Sequence, residues 1–477
     1  MAYMTDDEQA LESLELRDNS RIVMSAAAPG ALQAMNAKDM NLTFAPDGES
    51  FDRVMLAGGA ALQFAGADGQ PGRRIAGEII DITMGADGEV TALVARNAVE
   101  LRLPATREAP ERTIRSAAMT GTGEPGRGLT GARFTGGVEF REVKGRDQVR
   151  TARSTTLDAV LADGGGIDDA RFAGGTRFVD GALEAQALDA RYLVGKGQLQ
   201  LSGKVGATRP QVQDERIFVE AVDIALTFDG PKMIATGDVQ SVLKPARRNE
   251  GTNGTQTGGP KVPGMLKDDQ PANITAPALD YDGAAKKAIY TGGARLWQGD
   301  TAISGQKITI DETTGDLFAS GQVRTALVLE QVDAKTSQKK KVNTIASAED
   351  MHYEDALRRA TYTTNAHVNG PQGDLRAVKI ELYLVDGGGS LERAEAYQAV
   401  TVKADARTST GQRMTYFAAD EKYVMTGPQV KIIEECRETT CKSLTFFRTT
   451  DNVTCDGEQQ QRTLTLGAGT CGQASPK

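Results

Sequence analysis

Apolar and polar residues alternate along most of the chain, in stretches that are separated by turn residues. One stretch places Ala288, Tyr290, Gly292, Ala294 and Leu296 at every second position. Successive side chains of a strand point to opposite faces, so this period predicts a half-buried β-strand. Turn signals recur roughly every ten to fifteen residues. The sequence therefore predicts an all-β fold of many antiparallel strands.

A short repeat marks many of these strands. It consists of an apolar or aromatic residue, a small residue, then glycine or a small polar residue, followed by alternating apolar positions. An aromatic residue and a polar turn precede several copies, which predicts a β-hairpin as the repeated unit. Glycine within a strand permits a bend, which suits a folded-over pair of sheets. Copies begin at Leu56, Phe134, Phe172, Leu201, Ile234, Tyr290, Phe318 and Tyr423, with a weaker one at Tyr362.

Composition narrows the class of protein. Glycine accounts for 53 of 477 residues and aromatic residues for 5%, as expected for many tight turns. The net charge is −9, without a basic stripe interleaved with aromatic residues, so a nucleic-acid partner has no electrostatic basis. No apolar run approaches the length of a membrane span, so the sequence predicts no transmembrane helix.

The repeats suggest two hairpin arrays in tandem. A polar, glycine-rich stretch without periodicity separates them, which we interpret as a flexible linker or long loop. Pro104 to Gly128 is interpreted as a shorter mobile loop. The predicted segments are a disordered or short helical start over 1–9, an N-terminal array over 10–244, the linker over 245–269, a C-terminal array over 270–435 and a disulfide-stapled tail over 436–477.

All four cysteines lie near the C-terminal end of the chain, at positions 436, 441, 455 and 471. This clustering favours two local disulfides in an oxidising compartment. A four-thiolate zinc site is the alternative, but the close C-x2-C pairs of zinc knuckles are missing, and no metal is predicted. Among the three possible pairings we favour Cys436 with Cys471 and Cys441 with Cys455.

Met1 to Leu16 is acidic, where a basic and then apolar signal peptide would be expected. The segment Leu14 to Met24 already alternates like a strand. Either the protein is cytosolic or its beginning is missing, and the alternation leads us to expect that the chain begins inside a longer polypeptide, with an export signal or membrane anchor upstream.

The segment from Asp269 to Val323 resembles the OstA-like, LptA-type family of lipopolysaccharide-transport proteins. The likeness lies in Ala288-Ile-Tyr-Thr-Gly-Gly-Ala-Arg-Leu-Trp-Gln-Gly299, then Ala302-Ile-Ser-Gly-Gln-Lys-Ile-Thr-Ile310, then Gly315-Asp-Leu-Phe-Ala-Ser-Gly-Gln-Val323. Leu391 to Ile433 is similar again. The resemblance covers roughly residues 270 to 445, and the N-terminal half matches more loosely.

The resemblance implies a twisted β-jellyroll whose apolar interior holds the acyl chains of lipopolysaccharide or a similar glycolipid. It implies a periplasmic location and a protein bridge to the outer membrane. The implied partners are other jellyroll proteins of the bridge, an inner-membrane ABC transporter complex and an outer-membrane assembly protein, with end-to-end self-association through unpaired edge strands. No cofactor is implied.

The predicted lipid-binding residues are the inward positions of the C-terminal hairpins. Alternating apolar residues more often form only a core, so the filled interior of a structural or adhesive β-solenoid with protein partners is the alternative function. The predicted positions are Ala288, Tyr290, Ala294, Leu296, Ile303, Ile308, Ile310, Leu317, Val323, Val400, Val402, Val430 and Ile432.

An enzyme is the third class of function, and the sequence argues against it. His352 and His367 are the only histidines, and neither accompanies a nucleophile motif. Acidic residues concentrate at turns, without a distinctive carboxylate pair of the kind that glycosidases use. We therefore expect no catalytic residues.

Overall fold

A computed structural model describes residues 1–5, 10–24, 29–66, 71–85, 88–107, 109–145, 148–162, 165–203, 208–245, 261–332, 339–385, 389–404, 406–434, 437–457 and 464–467. The chain forms two compact units, the first comprising residues 1–215 and 219–231 and the second residues 216–218 and 232–477. Antiparallel β-strands dominate both units, and their described parts contain no α-helix. The predicted all-β, jellyroll-like fold of repeated hairpins is confirmed.

The first unit begins with short strands and continues with long hairpins. A 3-10 turn, Val194–Lys196, lies between two of its strands. The strands are β1 (Ala2–Met4), β2 (Leu11–Leu16), β3 (Ser20–Val23), β4 (Leu32–Ala37), β5 (Asp39–Phe44), β6 (Phe51–Ala65), β7 (Pro71–Met84), β8 (Val90–Leu103), β9 (Glu111–Glu124), β10 (Gly128–Lys144), β11 (Gln148–Leu161), β12 (Ile167–Asp180), β13 (Leu183–Leu193), β14 (Gln198–Ser202), β15 (Gln211–Gln213) and β17 (Asp223–Thr227), while β16 (Ile217–Glu220) spans the boundary between the units.

The second unit consists of long hairpins along most of its length. A 3-10 turn, Asp355–Leu357, lies within one hairpin connection. Its strands are β18 (Lys232–Leu243), β19 (Ala272–Asp282), β20 (Lys287–Gln298), β21 (Thr301–Asp311), β22 (Leu317–Val332), β23 (Lys339–Glu354), β24 (Arg359–Gly370), β25 (Gly373–Leu384), β26 (Leu391–Ala404), β27 (Arg407–Phe417), β28 (Lys422–Glu434), β29 (Arg437–Phe447), β30 (Asn452–Asp456) and β31 (Leu464–Gly467).

A β-bulge interrupts many of the long strands near the middle. In β10, Thr135 pairs with Thr156 and Val138 pairs with Ser154, so two residues of β10 lie opposite one residue of β11. Both extra residues, Gly136 and Gly137, have a φ of 83°, a conformation that glycine adopts without a Cβ clash. The same two-residue pattern with positive φ occurs in β6, β8, β12, β18, β20, β22, β24 and β26.

The repeat recognised in the sequence is this bulge. Phe134-Thr-Gly-Gly-Val138, Phe172-Ala-Gly-Gly-Thr176 and Tyr290-Thr-Gly-Gly-Ala294 all place their glycine pair at the register shift. The expected bend within the strand is therefore present at these glycines. Two further bulges escaped the sequence pattern because they use Asn97–Ala98 and Gln398–Ala399 in the left-handed conformation instead of glycine.

The interpretation of Pro104 to Gly128 as a mobile loop is wrong. Most of this stretch is β9 (Glu111–Glu124), which pairs with β8 on one side and β10 on the other. The glycines and threonines of this stretch led to its interpretation as a loop. They are ordered because the backbone hydrogen bonds of both neighbours fix them.

The structure also divides the chain differently from the expected arrays. β18 pairs with β19 from Lys232 with Asp282 to Leu243 with Ala272. The stretch predicted as a linker between arrays therefore joins two paired strands of the second unit. Residues 2–4, expected to be disordered or helical, form β1, and the expected tail begins with β29, which continues the hairpin array.

Candidate functional site

The predicted inward positions of the second unit all lie in its interior. Tyr290, Leu296, Ile303, Ile308 and Val430 are completely buried. The other eight predicted residues are also buried, and these are Ala288, Ala294, Ile310, Leu317, Val323, Val400, Val402 and Ile432. Their burial shows that the alternation was assigned to the correct face. Burial alone does not distinguish a ligand-binding surface from a core.

Two continuous cross-strand rows line this interior, one on each side of the bulges. Each step of a row is a pair of directly opposed residues on neighbouring strands, which places their side chains in contact. The first row contains Leu279, Tyr290, Ile308, Ala319, Met351, Tyr362, Ile380, Ala396, Met414, Met425 and Leu444. The second contains Ser241, Ile274, Leu296, Ile303, Thr325, Ala346, Val368, Leu375, Val402, Ser409 and Ile432.

Hydroxyl groups interrupt the otherwise apolar interior, and the alternating pattern did not predict them. Tyr290 and Tyr362 belong to the first row, whereas Ser241 and Thr325 belong to the second. None of their buried hydroxyl oxygens has a hydrogen-bond partner of normal geometry. Burial raises the pKa of Tyr362 to about 12, and the neighbouring side chain of Thr325 partly offsets this rise. Burial likewise raises the pKa of Tyr290, and the neighbouring side chain of Ser241 partly offsets this rise. The two rows therefore approach each other through these pairs.

The described inward side chains pack closely against one another. A cavity of about 20 Å³ remains among Val402, Met414, Tyr423 and Phe446, near the C-terminal hairpins. That volume suffices for about one water molecule. A larger depression of about 480 Å³ lies among Thr426, Pro428, Lys442 and Asp456, which are exposed. We assign the candidate site to the interior, because the apolar rows converge there and a guest chain would replace contacts between them.

The first unit has an interior of the same kind, with a charged edge. Phe140 and Phe178 lie in its apolar row, and Phe140 contacts Phe172 edge-on with ring centroids 5.8 Å apart. Two residues further along β10, on the same inward face, Glu142 is almost completely buried. Its carboxylate accepts hydrogen bonds from Arg112 over 2.8 Å and from Arg150 over 3.2 Å.

Two further groups complete this buried ionic cluster. Asp180 accepts a hydrogen bond from Arg150 over 2.8 Å, and Tyr192 donates one to Glu142 over 3.1 Å. Burial, followed by the charge of Glu142, raises the pKa of Tyr192 to about 12. The alternating pattern of the sequence did not predict this cluster. The only available signal was a charged residue at an inward position of each alternating stretch.

A disulfide links Cys441 of β29 to Cys455 of β30, with Cα atoms 5.7 Å apart. This confirms one predicted pairing. The other, Cys436 with Cys471, lies outside the described residues. Within the described ranges, no three His, Cys, Asp or Glu side chains gather as a possible metal site. No helix in that part of the chain is long and apolar enough to cross a membrane.

Comparison with known proteins connects the second unit to one family. Residues 273–388 and 347–452 each match the model described as the LptA/(LptD N-terminal domain) LPS transport protein. No curated protein matches the sequence. Among solved structures, LptH, described as the LptA homologous periplasmic component of the conserved lipopolysaccharide transport device from Pseudomonas aeruginosa, aligns with 14% identity and a TM-score of 0.21. That alignment covers 35% of this chain and 96% of LptH. Over residues 273 to 452 the chain is thus similar to the family of LptA and LptD N-terminal domains, in agreement with the resemblance seen in its sequence.

Proposed function

We propose that this protein binds lipopolysaccharide or a similar glycolipid through its acyl chains and carries it across the periplasm. The observation that supports this proposal most directly is the pair of apolar rows in the second unit, in the part of the chain that matches the transport family. Burial of an acyl chain contributes about 0.8 kcal/mol per CH2 group, so one chain between the rows would be held strongly. The sugar and phosphate headgroup would remain in water.

Binding in this interior requires the two rows to separate, since their residues are buried against one another and the cavity near the C-terminal hairpins is about 20 Å³. The rows meet through small residues such as Ala319, Ala346 and Ala396, and through hydroxyls without hydrogen bonds. Small side chains make few dispersion contacts, and unpaired hydroxyls favour exposure to water. Both features lower the free energy needed to open the interior.

The proposal extends to partners and location. Other jellyroll proteins of a transport bridge, an inner-membrane ABC transporter complex and an outer-membrane assembly protein are the proposed partners, and end-to-end self-association through edge strands is a further proposal. β1 offers an edge, because its described pairing is with β2. The Cys441 to Cys455 disulfide supports an oxidising compartment such as the periplasm.

Site-specific photocrosslinking in cells tests the lipid proposal. A photoreactive amino acid replaces Ile308, which is completely buried, or its neighbour Thr309, which points to the opposite face. The two positions share the same strand and differ only in the face they occupy. We expect a lipopolysaccharide adduct at Ile308 and none at Thr309.

A structural β-solenoid with a filled interior is the second candidate function, and the small free volume of the second unit favours it. It predicts no lipid adduct at either position, with protein adducts at Thr309 alone. That result, obtained with a folded protein, would overturn the proposal of lipid transport.

A further inference from the structure

Arg73 is a buried cation at the edge of the first unit's interior. It lies in β7 on the same inward face as Ile75, Ile80 and Ile82. Only 6% of its surface is exposed. The guanidinium stacks on the ring of Phe64, with Cζ 4.4 Å from the ring centroid. The side chain therefore stands where the apolar interior ends.

Gly165, which lies between β11 and β12, stands directly against the guanidinium. A Cβ atom at Gly165 would clash with Nη1 of Arg73, so the glycine allows the backbone to approach this closely. Gly165 also has a φ of 90°, which glycine tolerates best. The charged group is thus enclosed by an aromatic ring on one side and by backbone on another.

No acidic group in the described residues neutralises Arg73. Its Nε atom is buried without a hydrogen-bond partner. Arg112, which is buried, and Arg150, which is partly buried, differ at this edge, because Arg112 pairs with Glu142 and Arg150 pairs with Glu142 and Asp180. Burial lowers the pKa of Arg73 to about 10, which leaves it protonated at neutral pH. A charge that is buried and unpaired is strongly unfavourable unless a counter-ion joins it.

We propose that Arg73 binds an anionic phosphate or carboxylate group of an amphipathic ligand whose apolar part enters the interior of the first unit. The guanidinium presents a planar fork of donors that suits the oxygens of a phosphate. Ile75, two residues along the same face, begins the apolar row that would receive the tail. This inference rests on the proposed function, since it assigns the headgroup of the transported glycolipid to one residue.

Binding of lipid A to the full chain tests this site. The ligands are lipid A, lipid A with its phosphates removed, and inorganic phosphate. The variants are Arg73→Met and, as the matched control, Arg74→Met, which alters the exposed neighbour on the opposite face. We expect Arg73→Met to weaken lipid A binding about tenfold or more. The dephosphorylated lipid should bind both variants equally, and Arg74→Met should behave as the unaltered protein does.

The outcomes separate this inference from the proposed function. Equal affinity of Arg73→Met and the unaltered protein for lipid A would overturn the assignment of Arg73 and leave lipid transport intact. If neither form of lipid A binds, lipid transport fails. In that case binding of inorganic phosphate is compared between the unaltered protein and Arg73→Met. Phosphate binding that is lost in Arg73→Met supports an anion site for free phosphate. Absence of such binding overturns the site.

Thermal unfolding without ligand provides a second measurement, which also checks that the variants fold. Removal of an uncompensated buried charge should raise the melting temperature of Arg73→Met. The competing hypothesis is an ion pair between Arg73 and Asp163, two positions before Gly165 in the sequence, and it predicts a lower melting temperature. In that case Arg73→Met and Asp163→Asn would both lower the melting temperature, and the anion site would be rejected.

Discussion

The hydroxyl of Tyr192 donates a hydrogen bond to the carboxylate of Glu142 over 3.1 Å, although the two inward-facing residues belong to rows on opposite sides of the bulges. Tyr192 lies in the cross-strand row that contains Ala170, Ala159 and Ala132. Ala132 and Glu142 are both in β10, on opposite sides of its bulge. The contact therefore requires β10 to fold back on itself at the bulge.

Removal of the charge at Glu142 should destabilise the first unit strongly. Glu142→Gln would leave Arg112 buried beside a neutral amide and would weaken the pairing of Arg150. Loss of one partner from a buried ion pair costs about 3 to 5 kcal/mol. Urea denaturation followed by circular dichroism measures the change in the free energy of unfolding.

The matched control is Glu139→Gln in the same strand, whose exposed carboxylate pairs with exposed Arg153. Its expected cost is below about 1 kcal/mol. Equal effects of the two variants would contradict the structural role of the buried cluster.

Tyr362→Phe should leave stability at neutral pH unchanged or increase it, because the buried hydroxyl has no hydrogen bond to lose. The effect should change in alkaline solution. The pKa of Tyr362 is raised from 10.0 to about 12 by burial, so the unfolded chain releases this proton first. The contribution of this group to the free energy of unfolding is fully present below the pKa of the unfolded chain and is lost as pH rises through the pKa of the folded protein.

The unaltered protein should therefore lose stability between about pH 10 and pH 12 more steeply than Tyr362→Phe does, by up to about 1.4 kcal/mol per pH unit. Urea midpoints measured across this pH window give the two slopes. Parallel curves would show that Tyr362 titrates normally in the folded protein.

The two bulge glycines of β20 should differ in their tolerance of alanine. Gly292 and Gly293 both have positive φ, so alanine at either position is strained by about 1 to 2 kcal/mol. A Cβ at Gly292 would also clash with the ring of Pro277, whereas a Cβ at Gly293 meets no atom within 4 Å. Gly292→Ala should therefore have the lower melting temperature.

Differential scanning calorimetry of the two bulge variants measures this difference. Gly195→Ala is a suitable control, because Gly195 has no neighbour within 4 Å and is not in the left-handed region. If Gly293→Ala were the less stable bulge variant, the packing of Gly292 against Pro277 would be misplaced.

Loss of the disulfide should loosen the last hairpins locally. The bond closes a loop with a sequence separation of 14, and a loop of that length stabilises the fold by about 3 kcal/mol through the entropy of the unfolded chain. In a Cys441→Ser, Cys455→Ser double variant, amide hydrogen exchange should accelerate in β29 and β30 and remain unchanged in β20 and β21. Uniform acceleration along the chain would argue against a local role.

Much of the fold was predictable from the sequence because its signals are local. Alternation assigned Ile303, Ile308 and Leu296 to the inward face correctly, since side-chain direction follows directly from the period of a strand. The glycine pairs located the bulges, because glycine adopts a positive φ at two successive positions at little cost whereas most other residues do not. The bulge at Gln398 and Ala399 lacked that signal, and surrounding strands hold it in place.

The sequence by itself determined the strands, their inward faces and the hairpin repeat, because each depends on neighbours a few residues away. Only the tertiary structure decided which inward residues meet. Glu142 with Tyr192, and Tyr290 with Ser241, are separated by about fifty residues and come together through folding at the bulges. It also decided that Arg73 is buried and that its Nε atom has no hydrogen-bond partner among the described residues. Such pairings depend on how two faces close over one interior, and the period of a strand carries no information about the opposite face.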